Sequence, residues 1–240
     1  MSNLVKRTLS ALILGPLFVF LVYLGGIPYF ILILMMFLIM FYEWAMITRK
    51  AEQRLLWYIF GFFYIGFACF VMLFLERMRY DFLGITAIPV VLFTLIFLVW
   101  LNDIFSYIFG KGIGGPKLAP KISPNKTWAG AIGGITACVG FFFIMNYVTG
   151  FGVNKITDKV FYVALLLHVL VPIVSLVGDL FESLVKRKFG VKDSGNIIPG
   201  HGGLLDRMDA MIMVMNVTGI IFFILFAVEA SKQAAQGVTI

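Results

Sequence analysis

Ile27–Ile47 reads IPYFILILMMFLIMFYEWAMI, twenty-one residues with one charged side chain, Glu43, followed closely by Arg49 and Lys50. A helix crosses the hydrocarbon core of a bilayer in about 17–25 apolar residues. In lipid every main-chain amide must be satisfied within its own segment, so this run reads as a transmembrane helix. The pattern recurs in both directions, at Thr8–Leu24, Leu55–Leu75, Phe82–Phe109, Trp128–Thr149, Lys159–Leu184 and Arg207–Glu229. The expected fold is an all-α, polytopic integral membrane protein of about seven transmembrane helices, within a range of about seven to nine. The fourth and sixth runs exceed a bilayer's needs and are expected to tilt or project beyond it.

Composition agrees. The chain is 61% hydrophobic and 13% charged, with a mean hydropathy of +1.01, far from the soluble range. Lys6 and Arg7 precede the first run as they would in a signal peptide. No small-residue cleavage site follows before the next span, so the run is expected to stay as a helix. Cys69 and Cys138 fall in separate spans without a CxxC spacing and read as buried thiols. The sequence divides into N-terminal transmembrane helices, 1–100, and a second transmembrane region, 101–240, with long loops at 110–127 and 185–206.

With the N-terminus in the cytoplasm, 14 of the 19 lysines and arginines fall on the inner side. Arg77, Arg79, Lys155, Lys159 and Lys232 are left outside. The positive-inside rule selects this orientation, which puts the N-terminus and both long loops at the cytoplasmic face of the inner membrane. The net charge of +7 then belongs to loops beside anionic headgroups, and no nucleic-acid partner is expected.

Six of the twelve acidic residues converge on that inner level: Glu43, Asp103, Asp179, Glu182, Asp206 and Asp209. A carboxylate at membrane depth is costly unless it meets a partner or a wet cavity. For Glu43 alone, snorkelling to the interface is the simpler reading. Asp179 and Glu182, like Asp206 and Asp209, are spaced i, i+3 and project from one helical face. Two facing pairs of this kind make a hard oxygen site suited to Mg²⁺. Lys186 and Arg207 put positive charge on the same helices.

Gly110–Gly115 (GKGIGG) formally matches GxGxxG, but no strand precedes it and no βαβ unit follows, so it is not read as a dinucleotide fingerprint. Ser123, Lys126 and Thr127, in SPNKT, lie just before the fifth span, where helix amides favour an anion. Asn125-Lys126-Thr127 matches a glycosylation sequon only by chance, given its inner placement.

Ser183–Asp209, SLVKRKFGVKDSGNIIPGHGGLLDRMD, carries Ser183-x-x-Lys186-Arg187, Lys192-Asp193-x-Gly195, Pro199-x-His201-Gly202-Gly203 and Asp206-Arg207-x-Asp209. This gapped pattern resembles the signature of the phosphatidate cytidylyltransferase (CDP-diacylglycerol synthase) family. Asp103, Gly110-Lys111 and Ser123-Pro124-x-Lys126-Thr127-x-x-Gly130 resemble the family's upstream elements. The resemblance runs from about Asp103 to Asp209, where Ala129 replaces the family's usual glutamate and Ser106 a common alanine.

The resemblance implies that CTP and phosphatidic acid give CDP-diacylglycerol and diphosphate, in phospholipid biosynthesis. It also implies a homodimer. The lipid phosphomonoester is mostly ionised near neutrality, its second pKa being about 6, so no strong general base is needed. Charge neutralisation and in-line alignment are needed instead. Asp179 and Asp206 are expected as the main Mg²⁺ ligands, with Asp209 close by and Glu182 behind them. Asp179, Asp206, Asp209 and Lys186 are the expected catalytic residues. Ser123, Lys126, Thr127, Arg187, Lys192, Asp193, His201 and Arg207 are the expected substrate-binding ones. For His201, turn capping is an equal alternative, and His168 reads as packing. The sequence leaves open whether a second, monovalent cation such as K⁺ assists. Another CTP-using lipid enzyme is the near rival. A transporter would show paired halves and midplane acids, which are absent from the sequence.

Overall fold

The computed structural model describes residues 3–82, 85–149, 159–197 and 202–235. They form a bundle of seven helices: α1 (Asn3–Leu24), α2 (Gly26–Thr48), α3 (Arg54–Arg77), α4 (Val90–Gly112), α5 (Trp128–Thr149), α6 (Lys159–Lys188) and α7 (Leu205–Ala235). Among the described residues, α2 to α7 are each long and apolar enough to cross a membrane, and α1 holds a shorter apolar stretch, Leu12–Leu24. The protein is an all-α integral membrane protein, with two small hairpins added.

Both hairpins correct the sequence reading. The fourth span begins at Val90, because Tyr80–Phe82 (β1) pairs antiparallel with Ile85–Ile88 (β2). Ile85 and Ile88 are β-branched, and Ile88 precedes Pro89, which disfavours helical geometry before it. The loop expected at 110–127 is mostly structured. Lys117–Ala119 (β3) pairs antiparallel with Ser123–Thr127 (β4), placing Lys117 opposite Thr127. The GKGIGG run ends α4: Ile113 N–H bonds Phe109 O at 2.9 Å, and Gly114 and Gly115 turn the chain at φ of 69° and 88°.

The loop expected at 185–206 is shorter than its sequence suggested, since α6 runs on to Lys188 and α7 starts at Leu205. Lys186, Arg187 and Lys188 suit the last turn by opposing the helix dipole. The helix closes with a Schellman motif. Val191 N–H reaches Lys186 O at 2.9 Å and Gly190, at φ 69°, reaches Arg187 O at 3.1 Å.

Packing runs α2 on α3, α3 on α7, α7 on α6, α6 on α5 and α5 on α4, with α4 touching α6 and α1 flanking α2. Trp44, Ile65, Leu95, Leu98 and Met215 are buried inside, while Ile27, Phe63 and Phe226 face outward, as lipid-facing residues do. Lipid gives no hydrophobic drive between helices, so small residues and polar bonds bring them together. On α5, a Cβ at Gly134 would lie 2.3 Å from both Asn102 Oδ1 and Ser106 Oγ of α4. Asn102 Nδ2 also donates to Ser175 Oγ of α6 at 3.3 Å, which ties α4 to α6 one residue from Asp103.

Candidate active site

One end of the bundle gathers the C-terminal ends of α2, α4 and α6, the N-terminal ends of α5 and α7, and the β3–β4 hairpin. Here Lys186 Nζ donates to Asp206 Oδ1 at 2.6 Å and lies 3.4 Å from Glu182 Oε2. Lys126, carried by β4, forms an ion pair with Asp179 on α6. Asp209 sits beside Glu182 and within electrostatic reach of Asp179. Asp103 completes the group, close to Asp179, Lys126 and Arg207. Five carboxyl groups therefore gather around Lys126, Lys186 and Arg207.

The site has depth. On α6 the series Lys186, Glu182, Asp179 spans seven residue steps, a rise of about 10 Å, so the acids descend into the bundle. The crossing of α6 and α7 is set by backbone proximity. A Cβ at Gly178 would lie 2.7 Å from Met213 Cβ, 2.9 Å from Asp209 O and 3.1 Å from Ala210 Cα. Only glycine lets the chain next to Asp179 approach the chain at Asp209 this closely.

The donor set fits a divalent cation. Glu182 is 3% exposed, with Lys186 Nζ 3.4 Å from one oxygen and Asp209 beside it. Buried acids this close repel one another, and a further cation among them relieves that cost. Among the described residues no three such side chains already surround one point. Asp206 has less to offer, because its Oδ2 accepts Ser194 N–H at 2.9 Å and Gly203 N–H at 3.0 Å. Only Oδ1, shared with Lys186, remains for a further partner.

The other expected residues differ in what they touch. Thr127 is buried, and its Oγ1 accepts Gly130 N–H at 3.1 Å, capping α5. Ser123 is half-buried at the start of β4. Arg187 is exposed and donates to Ile122 O at 3.3 Å and Val191 O at 3.2 Å, joining α6 to the hairpin turn and the following loop. Lys192, Asp193 and Arg207 are exposed at the mouth. His201, with the neighbouring 198–200, lies outside the described residues. His168 packs against Phe142, with ring centroids 5.1 Å apart, well along α6 from the charged end.

Glu43 departs from the snorkelling reading. It is 1% exposed and its carboxylate accepts Leu204 N–H at 3.1 Å, Leu205 N–H at 2.7 Å and the Ser194 hydroxyl at 3.2 Å. The sequence signal was available, since Glu43 is the lone charge in its span, but its partners are more than 150 positions away.

Fold and site together define a polytopic membrane protein with an acid-and-base cluster at one end of the bundle. The chain belongs to the cytidylyltransferase family, whose profile matches residues 53–225. It is 36% identical to a phosphatidate cytidylyltransferase of Brucella abortus biovar 1 (strain 9-941), over 88% of this chain and 90% of that one. It is 36% identical to one from Rickettsia bellii (strain RML369-C), over 93% and 91%, and 34% identical to one from Rickettsia typhi (strain ATCC VR-144 / Wilmington), over 90% of each.

Proposed function

We propose that the protein is a phosphatidate cytidylyltransferase. An oxygen of the lipid phosphate attacks the α-phosphorus of CTP, the α–β anhydride bond breaks, and CDP-diacylglycerol and diphosphate leave. The observation that carries this reading is the site's charge pattern: carboxylates facing Lys126, Lys186 and Arg207 at membrane depth, in a chain of this family.

The geometry supports the following roles. Lys126 and Arg207, at the hairpin and the start of α7, meet the phosphates of the two anionic substrates, with Arg207 able to grip two oxygens at once. Lys192 and Arg187 at the rim draw the nucleotide in, with Ser123 beside them. Asp193 and His201 stay in the substrate-binding set on the strength of the family signature. Lys186 holds Asp206 and lies beside Glu182, tying α6 to α7 at the site. Asp179, Asp209 and Glu182 are the residues that would hold Mg²⁺, with Asp206 contributing through Oδ1. A bound Mg²⁺ supplies positive charge against the triphosphate. No side chain has to remove a proton from the lipid phosphate, so the residues align and neutralise.

The basic loops support an inner-membrane orientation with N-terminus and site in the cytoplasm. The catalytic region is 101–240, and the working unit is a homodimer, on the support of the family resemblance. The test is turnover by the purified protein in detergent, supplied with CTP and phosphatidic acid. CDP-diacylglycerol and diphosphate should form in equal amounts, only with Mg²⁺, and replacing K⁺ by a large organic cation shows whether a monovalent ion assists. Failure to turn over phosphatidic acid while another lipid phosphate is used would sink the substrate assignment.

A further inference from the structure

Glu43 lies on α2, ahead of the residues that the family profile matches, and none of its three hydrogen-bond donors is a charged side chain. Two are main-chain amides at the start of α7, where amides lack partners inside the helix and the dipole favours an anion. The loop is moulded to this carboxylate. A Cβ at Gly195 would meet Glu43 Oε1 at 2.6 Å, Cδ at 3.1 Å and Cγ at 3.2 Å, its three nearest atoms. At Gly203 a Cβ would lie 2.7 Å from each Glu43 oxygen. Ser194 passes the link onward: its hydroxyl donates to Glu43 and accepts Asp206 N–H at 3.3 Å, while its own N–H goes to Asp206 Oδ2.

We infer that Glu43 is a positioning residue for the transfer reaction: it holds the chain at 194–195 and 203–205 so that Asp206, Arg207 and Asp209 face Asp179 and Glu182. The inference rests on the function proposed above. It explains why a charge is kept near the inner end of an otherwise apolar helix. It also means that the amides of Ser194, Gly203, Leu204 and Leu205 are consumed by carboxylates, which leaves substrate phosphates to side chains.

The test uses the full chain in detergent with Glu43→Gln, Glu43→Asp, Gly195→Ala and the pair Glu43→Asp/Gly195→Ala. Glutamine offers one oxygen where two amides need acceptors, so the Leu204 and Leu205 amides should exchange hydrogen at least about tenfold faster. In Gly195→Ala the new methyl displaces the carboxylate, and kcat should fall on the order of 100-fold, as a misplacement near 1 Å does. The shorter aspartate makes room for that methyl, so the pair should be more active than the product of the singles by about fivefold or more. Multiplicative singles, unchanged loop exchange, or variants that only melt earlier while each folded molecule keeps its kcat would overturn the inference. If wild type fails to turn over phosphatidic acid, the functional reading falls, and the exchange measurement still decides whether Glu43 holds the loop. Should Glu43→Gln not fold, Gly195→Ala and the pair decide it.

Discussion

Lys186 of α6 and Asp206 of α7 meet at 2.6 Å, with side chains only 10% and 8% exposed, where the signature loop leaves one helix and enters the next. The same ammonium lies 3.4 Å from Glu182, so one cation serves two buried carboxylates. Removing it takes the nearest cation from both and leaves Asp206 only its two main-chain donors.

Lys186→Met should therefore cost about 3–5 kcal/mol of stability, the range for breaking a buried pair from one side. Thermal unfolding in detergent measures this, and activity should vanish with it. Lys186→Arg should recover more stability than activity, because a planar fork does not replace a point charge shared by two acids.

Asp179→Asn breaks the pair with Lys126 and removes a candidate metal ligand. Turnover should fall at least about 100-fold with little change in melting. Lys126→Ala should lose activity too, and the double variant should be little worse than the poorer single, since the two side chains act as a unit. Strictly multiplicative losses would show that they work separately.

Gly178→Ala tests whether the α6–α7 crossing sets the site. The methyl would sit 2.7–3.1 Å from atoms of Met213, Asp209 and Ala210, two of them main-chain. Overpacking of this kind costs about 1–3 kcal/mol. Turnover should drop as well, because Asp179 and Asp209 are carried apart. Gly140→Ala on α5, where nothing lies within 4 Å, is the control expected to keep both stability and rate.

Thr127→Val separates capping from substrate binding. As a cap lost from α5, it should lower stability by about 1 kcal/mol and leave KM for CTP unchanged. Thr127→Ser should restore the cap. A large rise in KM with unchanged melting would return Thr127 to the substrate.

The apolar runs made the helices legible, because lipid leaves the backbone no alternative to self-satisfaction. The β1–β2 hairpin escaped notice because Ile85–Ile88 is as apolar as the helix that follows it. Charge spacing put Asp179 with Glu182 and Asp206 with Asp209 on shared helical faces, and the fold sets the four at one end of the bundle. It did not show which of them is already engaged. Asp206 is held by two main-chain amides and Lys186, bonds that depend on how the loop folds back. Thr127 looked like a ligand for the same reason: a cap and a phosphate contact use the same hydroxyl. Glu43 was hardest, because its donors come from the opposite end of the chain.

The descent of Lys186, Glu182 and Asp179 along α6 has a bearing on how the substrates meet. Lys186 and Asp179 lie about 10 Å apart along α6, so under the proposed function the reacting phosphate would sit below the charged end of the helix. Under the proposed function the water-soluble nucleotide then comes down to the lipid, and the lipid never leaves its leaflet. The concentration that governs rate is two-dimensional: turnover should follow the mole fraction of phosphatidic acid in a mixed micelle and ignore its bulk molarity.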